Sequence, residues 1–249
     1  MFESIRGKRV LITGAGSGMG ASMAELFGEY GAVVGVHYNQ SEDGAGKVMA
    51  RVREKGGSAI PVRADLMDPG ACTQLVPRFV KEAGGLEVLV NSAGAVQGHH
   101  HFLEMDRESW DMTIALDLTA PFFIAQGAFR HMKGHGGGRI ISISSIAAKY
   151  GGSDETIHYG AAKAGLEAMT RTLARAGARH GILVNAIQPG VIDTDFHRKI
   201  GRATLAERVK KIPLGRAGTP LDVARLCLFL ASEAGDYITG QVYGVTGGD

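Results

Sequence analysis

The chain has 249 residues, 45% of them hydrophobic and 21% charged, and a formal net charge of +2. This balance gives no general attraction to nucleic acid or to an anionic membrane surface. No apolar run approaches the ~18 residues of a membrane-spanning helix, and the first residues lack the apolar stretch of a signal peptide. Cys72 and Cys227 are isolated, so they form neither a disulfide framework nor a metal site. We expect a cytoplasmic protein without a metal ion, a nucleic-acid partner or a membrane partner.

Short apolar runs alternate with helix-like stretches along the whole chain. The runs rich in Val and Ile predict strands buried on both faces at 9–13, 32–38, 58–64, 86–91, 139–144, 182–187 and 240–248. Helices are predicted near 18–30, 42–55, 69–82, 106–133, 159–179 and 219–232. Strands that alternate with helices indicate a doubly wound α/β fold with a parallel sheet. No linker interrupts the pattern, so we expect a single domain over residues 1–249.

A glycine-rich stretch, "TGAGSGMG" (13–20), follows the first predicted strand and opens the first predicted helix. Gly14, Gly18 and Gly20 permit a tight turn and a close approach of a diphosphate to the backbone. The start of the helix adds unpaired N–H groups and the positive end of the helix dipole. The stretch therefore predicts a dinucleotide-binding loop.

A tyrosine and a lysine stand four residues apart in "HYGAAKAGLEAM", at Tyr159 and Lys163. Four residues make about one helical turn, so the two side chains share a face with Cβ atoms about 5–6 Å apart. One interpretation is a solvated helix face. The other is a phenol whose pKa is lowered by a neighbouring ammonium. The spacing alone does not decide between them.

Taken together, these motifs resemble the short-chain dehydrogenase/reductase family. Further stretches match the family in order and spacing: "NSAG" (91–94), "SISS" (142–145), "YGAAK" (159–163), "QPGVIDTD" (188–195) and "YITGQVYGVTGG" (237–248). The resemblance implies a three-layer α/β/α Rossmann fold with a seven-stranded parallel sheet. It also implies an NAD(P)-dependent oxidoreductase that transfers a hydride between nicotinamide and a secondary alcohol or ketone.

The resemblance assigns catalytic roles to three residues. Tyr159 would exchange a proton with the substrate oxygen, and Lys163 would favour its phenolate and bond the nicotinamide ribose. Ser145 would steady the substrate oxygen as charge develops on it. Ser144 is the neighbouring candidate, but alternation along the strand points it the other way.

The resemblance also assigns residues to the dinucleotide. Asp65 would meet the adenine amine and Leu66 would line the ring; for Asp65 and Asn91 the alternative is a strand-end residue that ties down loops. The predicted cofactor-binding set is Gly14, Ser17, Gly18, Met19, Gly20, Asn39, Asp65, Leu66, Asn91, Ala93, Gly94, Tyr159, Lys163, Pro189, Gly190, Ile192 and Thr194.

Asp117 in "IALDLTAPFF" stands where the family usually has a catalytic asparagine. An ionised aspartate accepts hydrogen bonds but cannot donate one, and it should raise the pKa of a nearby Lys163. We therefore place Asp117 in the catalytic set and expect an altered pH optimum. The alternative is an aspartate on a helix surface.

The end of the second strand, "VHYNQSED", bears on the choice of nicotinamide cofactor. An acidic residue here would hold the ribose 2′-OH of NAD, but His37, Tyr38 and Asn39 carry no negative charge, and Asp43 lies further into the next helix. An arginine for the 2′-phosphate is also absent. The stretch resembles members that bind NADP with Asn, Ser and backbone donors. NADP(H) is favoured, and NAD(H) remains possible.

The substrate is left open between a 3-oxoacyl, polyol, sugar or small keto compound. The residues expected around it include His99–His101, Lys149, Tyr150 and Asp154, and residues 190–218 are predicted to form a mobile lid. Three adjacent histidines cannot share one helix face, which argues against a metal there. The apolar faces of the predicted helices need cover beyond their own sheet, and the resemblance implies that a homotetramer, a dimer of dimers, provides it. The alternative function is a dinucleotide-binding regulator that has kept the fold and lost the chemistry.

Overall fold

The computed structural model describes residues 2–194 and 205–249. The strands are β1 (Arg9–Ile12), β2 (Val33–Tyr38), β3 (Ser58–Arg63), β4 (Val88–Asn91), β5 (Gly138–Ile143), β6 (Ile182–Pro189) and β7 (Val242–Val245). The α-helices are α1 (Gly18–Glu29), α2 (Glu42–Glu54), α3 (Pro69–Ala83), α4 (Arg107–Ile114), α5 (Ala120–Lys133), α6 (Ala147–Tyr150), α7 (Ile157–Gly177), α8 (Leu205–Val209) and α9 (Pro220–Ala231).

The seven strands form one parallel sheet in the order β3-β2-β1-β4-β5-β6-β7. Val10 on β1 pairs with Val34 on β2 and with Val88 on β4, so β1 lies between the two halves of the sheet. The direction of winding changes at this point, and doubly wound sheets bind ligands in the crevice that it leaves at the carboxyl ends of the strands. The predicted doubly wound seven-stranded fold is confirmed.

Both faces of the sheet are covered by helices, as continuous apolar strands require. Val10 and Ile12 point to the face that carries α1, α2 and α9, whereas Leu11 points to the face of α3 and α5. In the same way Val88 and Val90 alternate with Leu89 on β4. Successive side chains along each strand therefore point to opposite faces and pack into two hydrophobic cores, one on each side of the sheet.

The helix predicted near 106–133 is interrupted. A π-helical turn, Ala115–Thr119, separates α4 from α5. Pro121 has no N–H to donate to the carbonyl of Asp117, four residues earlier, which gives a physical reason for the change in the hydrogen-bond ladder here. The turn places the side chain of Asp117 in the interior. A π turn within an α-helix often marks a functional site.

Among the described residues, the stretch Arg107–Lys133 is the one helix with the length and mean hydropathy of a membrane span. It packs against α3 and α7 and carries the buried Asp117. These contacts make it a helix of the α/β core.

Two other boundaries differ from the sequence prediction. The short helix α6 was not predicted, and α7 begins at Ile157, two residues before Tyr159. Part of the predicted lid at 190–218 falls on residues 195–204, which lie outside the described residues. The lid stays a prediction.

Candidate active site

Two cavities open at the carboxyl ends of the strands. The first, of about 500 Å³, runs from the glycine-rich loop past the end of β2 to Lys163. The second, of about 400 Å³, lies between Ser145 and the segment after β6. Tyr159 lines both cavities. The phenol therefore stands where a ligand in one cavity would meet a ligand in the other.

The glycine-rich loop is shaped for an anion. Gly14 has φ +65°, and a Cβ added there would lie 2.8 Å from the Cα of Ala93. Ser17 precedes α1 without making a side-chain cap to it, so the first N–H groups of the helix are not satisfied by that side chain. Gly18, Met19 and Gly20 at the start of this helix line the first cavity. An uncapped N-terminus in a cavity fits a diphosphate.

His37 ties the loop to the sheet. The Gly14 N–H donates to His37 Nδ1 at 3.0 Å, so that nitrogen is the bare acceptor. Nε2 then carries the hydrogen and donates it to the Ala64 carbonyl at 3.2 Å. Burial lowers the pKa of His37 to about 4 against the raising effect of that carbonyl. The uncharged imidazole therefore links the glycine-rich loop to the residues after β3 through two hydrogen bonds.

The lowered pKa of the buried His37 predicts that the free energy of unfolding depends on pH. The pKa of His37 lies at about 4 in the folded chain and near 6.5 when it is unperturbed, so the unfolded chain binds the proton first as the pH falls. We expect the stabilisation to be complete above about pH 6.5 and to be lost toward pH 4. In His37→Asn, the slope of unfolding free energy against pH in this window should be smaller by up to about 1.4 kcal/mol per pH unit. Urea unfolding at several pH values measures it, and equal slopes would contradict the prediction.

The far end of the first cavity is formed by residues after β2. Tyr38, Asn39, Gln40 and Ser41 line it, and no carboxylate among the described lining residues lies in this segment. Asp43 sits in the first turn of α2, outside the lining. The surface here offers amide and hydroxyl groups.

Asp65 and Leu66 line the same cavity after β3. One carboxylate oxygen of Asp65 accepts a hydrogen bond from the Met67 N–H at 2.9 Å. The local turn therefore holds this carboxylate in place. Its position matches both interpretations made from the sequence, a ligand contact and a loop tie.

Lys163 is buried beneath Tyr159. Its Nζ lies 5.5 Å from the centroid of the Tyr159 ring and donates to the Ile143 carbonyl at 3.0 Å. The spacing of one turn thus brings the cation and the phenol onto one face of α7, as the sequence predicts. Ser145 lies at the end of β5 and lines the second cavity with Tyr159.

Ser144 points away from Ser145. Its hydroxyl donates to Glu167 Oε1 at 2.7 Å, and the Gln188 amide donates to the same oxygen at 2.8 Å. This buried carboxylate joins the ends of β5 and β6 to α7. Both serines line the second cavity, but the Ser144 hydroxyl is bonded to Glu167, so Ser145 stays the predicted partner of a substrate oxygen.

Asp117 forms a buried ion pair with Lys163. The distance from Nζ to Oδ1 is 2.9 Å, and the other oxygen accepts the Ala95 N–H at 3.2 Å. A Cβ at Gly94 would collide with Asp117 Oδ1, so glycine is needed where the loop after β4 passes the pair. The aspartate is not on a helix surface.

The structure brings most of the predicted residues together. Those that line the first cavity are Gly14, Ser17, Gly18, Met19, Gly20, Asn39, Asp65, Leu66, Ala93, Gly94, Tyr159, Lys163 and Thr194. Those that line the second are Ser145, Tyr159, Pro189, Gly190 and Ile192. Asn91 lines neither cavity: it is buried, and its amide donates to the Pro121 carbonyl at 3.3 Å, which ties β4 to α5.

Arg208 and Lys211 reach the second cavity from α8 and the turn that follows it, within the segment 190–218 that the sequence predicts beside the substrate. Gln40 and Ser41, which line the first cavity, were not predicted individually. The signal for these two was their position directly after a strand. Of the residues expected around a substrate, Tyr150 lines the second cavity, whereas His99–His101, Lys149 and Asp154 line neither of the two cavities. Within residues 2–194 and 205–249 no three metal-ligating side chains cluster.

Comparison with known proteins agrees with this geometry. A family profile described as enoyl-(acyl carrier protein) reductase matches residues 14–249. A 3-oxoacyl-[acyl-carrier-protein] reductase of Chlamydia pneumoniae is 37% identical over 248 residues, covering 100% of this chain and 99% of the relative. The chain belongs to the short-chain dehydrogenase/reductase family. Like its named relatives, this family member is an enzyme of NAD(P)-dependent alcohol and ketone chemistry.

Two solved structures show the same fold. An NADH-dependent reductase responsible for alginate metabolism superimposes with a TM-score of 0.91 at 32% identity, covering 99% of this chain and 98% of that one. An angucycline C-6 ketoreductase with bound NADP gives a TM-score of 0.90 at 34% identity, covering 98% and 96%. These two reductases differ in the cofactor that their names state.

Proposed function

We propose that this short-chain dehydrogenase/reductase interconverts a ketone and a secondary alcohol, with NADP(H) as the favoured cofactor and Tyr159 as the general acid and base. The observation that carries the proposal is the place of Tyr159, on the shared wall of the two cavities and above the buried Lys163. A proton donor at this point can reach a substrate in one cavity while a dinucleotide fills the other.

The roles of the side chains follow from their positions. In the reducing direction the Tyr159 hydroxyl gives its proton to the carbonyl oxygen, and in the oxidising direction the phenolate takes it back. The Ser145 hydroxyl, on the same cavity, donates a hydrogen bond to that oxygen as negative charge develops. Lys163 lies close enough to Tyr159 for its charge to act on the phenolic proton. The nicotinamide, when bound, supplies or accepts the hydride.

The preference for NADP(H) is supported by the end of β2. Asn39, Gln40 and Ser41 offer uncharged donors, and a 2′-phosphate meets no carboxylate from this segment. A carboxylate would repel the phosphate and bind the 2′-OH of NAD instead. NAD(H) remains the second possibility, since one structural relative is named as NADH-dependent.

The second cavity supports a polar substrate. Tyr150, Ser153 and Thr156 line one side, and Arg208 and Lys211 line another. Hydroxyl groups suit a sugar or polyol, and the two cations suit a keto acid or a 3-oxoacyl thioester whose carrier brings phosphate. We keep these substrate classes open.

A homotetramer in the cytoplasm stays our prediction for this enzyme. Trp110, Phe122 and Phe123 on α4 and α5 are each more than a third exposed. Burial of these rings against a second copy is what the apolar helix faces favour.

A substrate screen tests the proposed function. Purified protein is mixed with NADPH or NADH and with a sugar, a polyol, a keto acid, a 3-oxoacyl thioester and an uncharged ketone, and the absorbance of the reduced nicotinamide is followed. We expect turnover with at least one of these compounds and a higher kcat/KM with NADPH. Tight binding of NADPH without turnover of any compound would contradict the proposal and favour the regulator.

A further inference from the structure

The buried ion pair places a carboxylate directly behind the proposed catalytic lysine. The side chains of Lys163 and Asp117 are 4% and 0% exposed, with 2.9 Å between Nζ and Oδ1. Lys163 also donates to the Ile143 carbonyl, and Asp117 also accepts from the Ala95 N–H. The ammonium is therefore held between a carboxylate and a carbonyl, with water excluded from both side chains.

The titratable side chains that face this pair come from α7. Tyr159 places its ring centroid 5.5 Å from Lys163 Nζ. His158 is buried near Asp117, and its Nε2 lies 2.8 Å from the Gln97 carbonyl, which fixes a hydrogen on that nitrogen. The loop after β4 and the end of β5 offer backbone groups to the pair.

The carboxylate of Asp117 compensates the positive charge of Lys163 within the buried pair. Burial raises the pKa of Asp117, and Lys163 is the largest opposing influence. Burial lowers the pKa of Lys163, but Asp117 and then Tyr159 outweigh it, so the pKa of the ammonium is raised overall. Whichever of the two side chains holds the shared proton, the pair carries no net charge. Tyr159 therefore faces a neutral pair and not an isolated cation.

We propose that Asp117 keeps the Tyr159 hydroxyl protonated at neutral pH, because it cancels much of the pull that Lys163 exerts on that proton. This inference rests on the proposed function, in which Tyr159 exchanges that proton. A cation stabilises a phenolate through its field, and a carboxylate beside the cation opposes the field. Tyr159 stays a phenol, the form that donates during reduction. Oxidation needs the phenolate and reaches its full rate only at alkaline pH.

Asp117→Asn tests the inference, because it keeps the shape of the side chain and removes the charge. We expect the rising limb of the oxidation rate to move to lower pH by about one unit, and the reduction rate to decline from a correspondingly lower pH. Profiles of kcat/KM against pH in both directions measure the shift. Asp111→Asn is the matched control: the same change at an exposed α4 residue paired with Arg107 should leave both profiles in place.

A second measurement follows the ionisation of the Tyr159 hydroxyl in the absence of turnover. Tyrosinate absorbance is titrated in the wild type and in Asp117→Asn, each compared with the same protein carrying Tyr159→Phe, which isolates one of the chain's six tyrosines. We expect Tyr159 to be a phenol at pH 7 in the wild type and to ionise at lower pH in Asp117→Asn.

The outcomes of these experiments distinguish failure of the role inferred for Asp117 from failure of the proposed function. Unchanged profiles and titration in Asp117→Asn, or a phenolate at pH 7 in the wild type, would overturn the role of Asp117 and leave the proposed function standing. If Asp117→Asn does not fold, the wild-type titration alone decides. Retained turnover in Tyr159→Phe would overturn the proposed function itself.

Discussion

Tyr159→Phe is expected to lower kcat by about 10²–10⁴-fold in both directions, the range that a positioned general acid or base contributes. The substitution removes a phenolic hydroxyl from the wall that the two cavities share and keeps the ring above Lys163. The affinity for NADPH should change little, because the glycine-rich loop and the residues after β2 are untouched. Initial rates and a fluorescence titration with NADPH measure the two quantities.

Tyr237→Phe provides the control for loss of a phenol. Tyr237 is fully exposed and lines neither of the two cavities, so this variant should keep the wild-type kcat. A Tyr159→Phe protein that keeps a tenth or more of the wild-type kcat would assign the proton transfer to another group.

Lys163→Met is expected to lower the free energy of unfolding by about 3–5 kcal/mol, since it leaves the carboxylate of Asp117 buried without its cation. The stability loss should be far smaller in the double variant Asp117→Leu/Lys163→Met, in which both charges are replaced by apolar groups of similar size. Urea unfolding of the wild type, both single variants and the double variant gives the coupling energy.

The double variant distinguishes the charge effect from loss of packing. If the effects of the two single substitutions simply add, Asp117 and Lys163 do not stabilise each other, and the ion pair seen at 2.9 Å contributes nothing to stability. Lys163→Met should also lose turnover, because Lys163 lies beneath Tyr159. Stability and activity therefore report on the same pair by independent routes.

Much of the fold could be predicted from the sequence, because the signals that specify it are local. The Val- and Ile-rich runs place all seven strands, and the alternation of Val10, Leu11 and Ile12 between two faces follows from the period of a strand. The interruption of the long helix was missed. Pro121 is a visible signal, but a proline alone does not tell whether a helix kinks, ends or forms a π turn.

The candidate site divides in the same way. Gly14, Gly18 and Gly20 predict a phosphate-binding loop because such a loop uses only their backbone, and Tyr159 and Lys163 share a face because both lie on one helix. Both features depend on short spacings along the chain, which can be seen in the sequence without knowing how distant elements pack. The family resemblance then assigns them chemistry.

The sequence by itself determined the order of the strands and helices, the phosphate loop and the Tyr–Lys pair. The tertiary structure alone decided what distant elements bring to them: Asp117 turned inward to Lys163, Asn91 bonded to α5 and outside both cavities, and His37 placed beneath the loop. The reason is physical. Contacts along one helix or strand follow from its period, whereas contacts between elements depend on how each packs, and a change of one residue in register turns a side chain to another face.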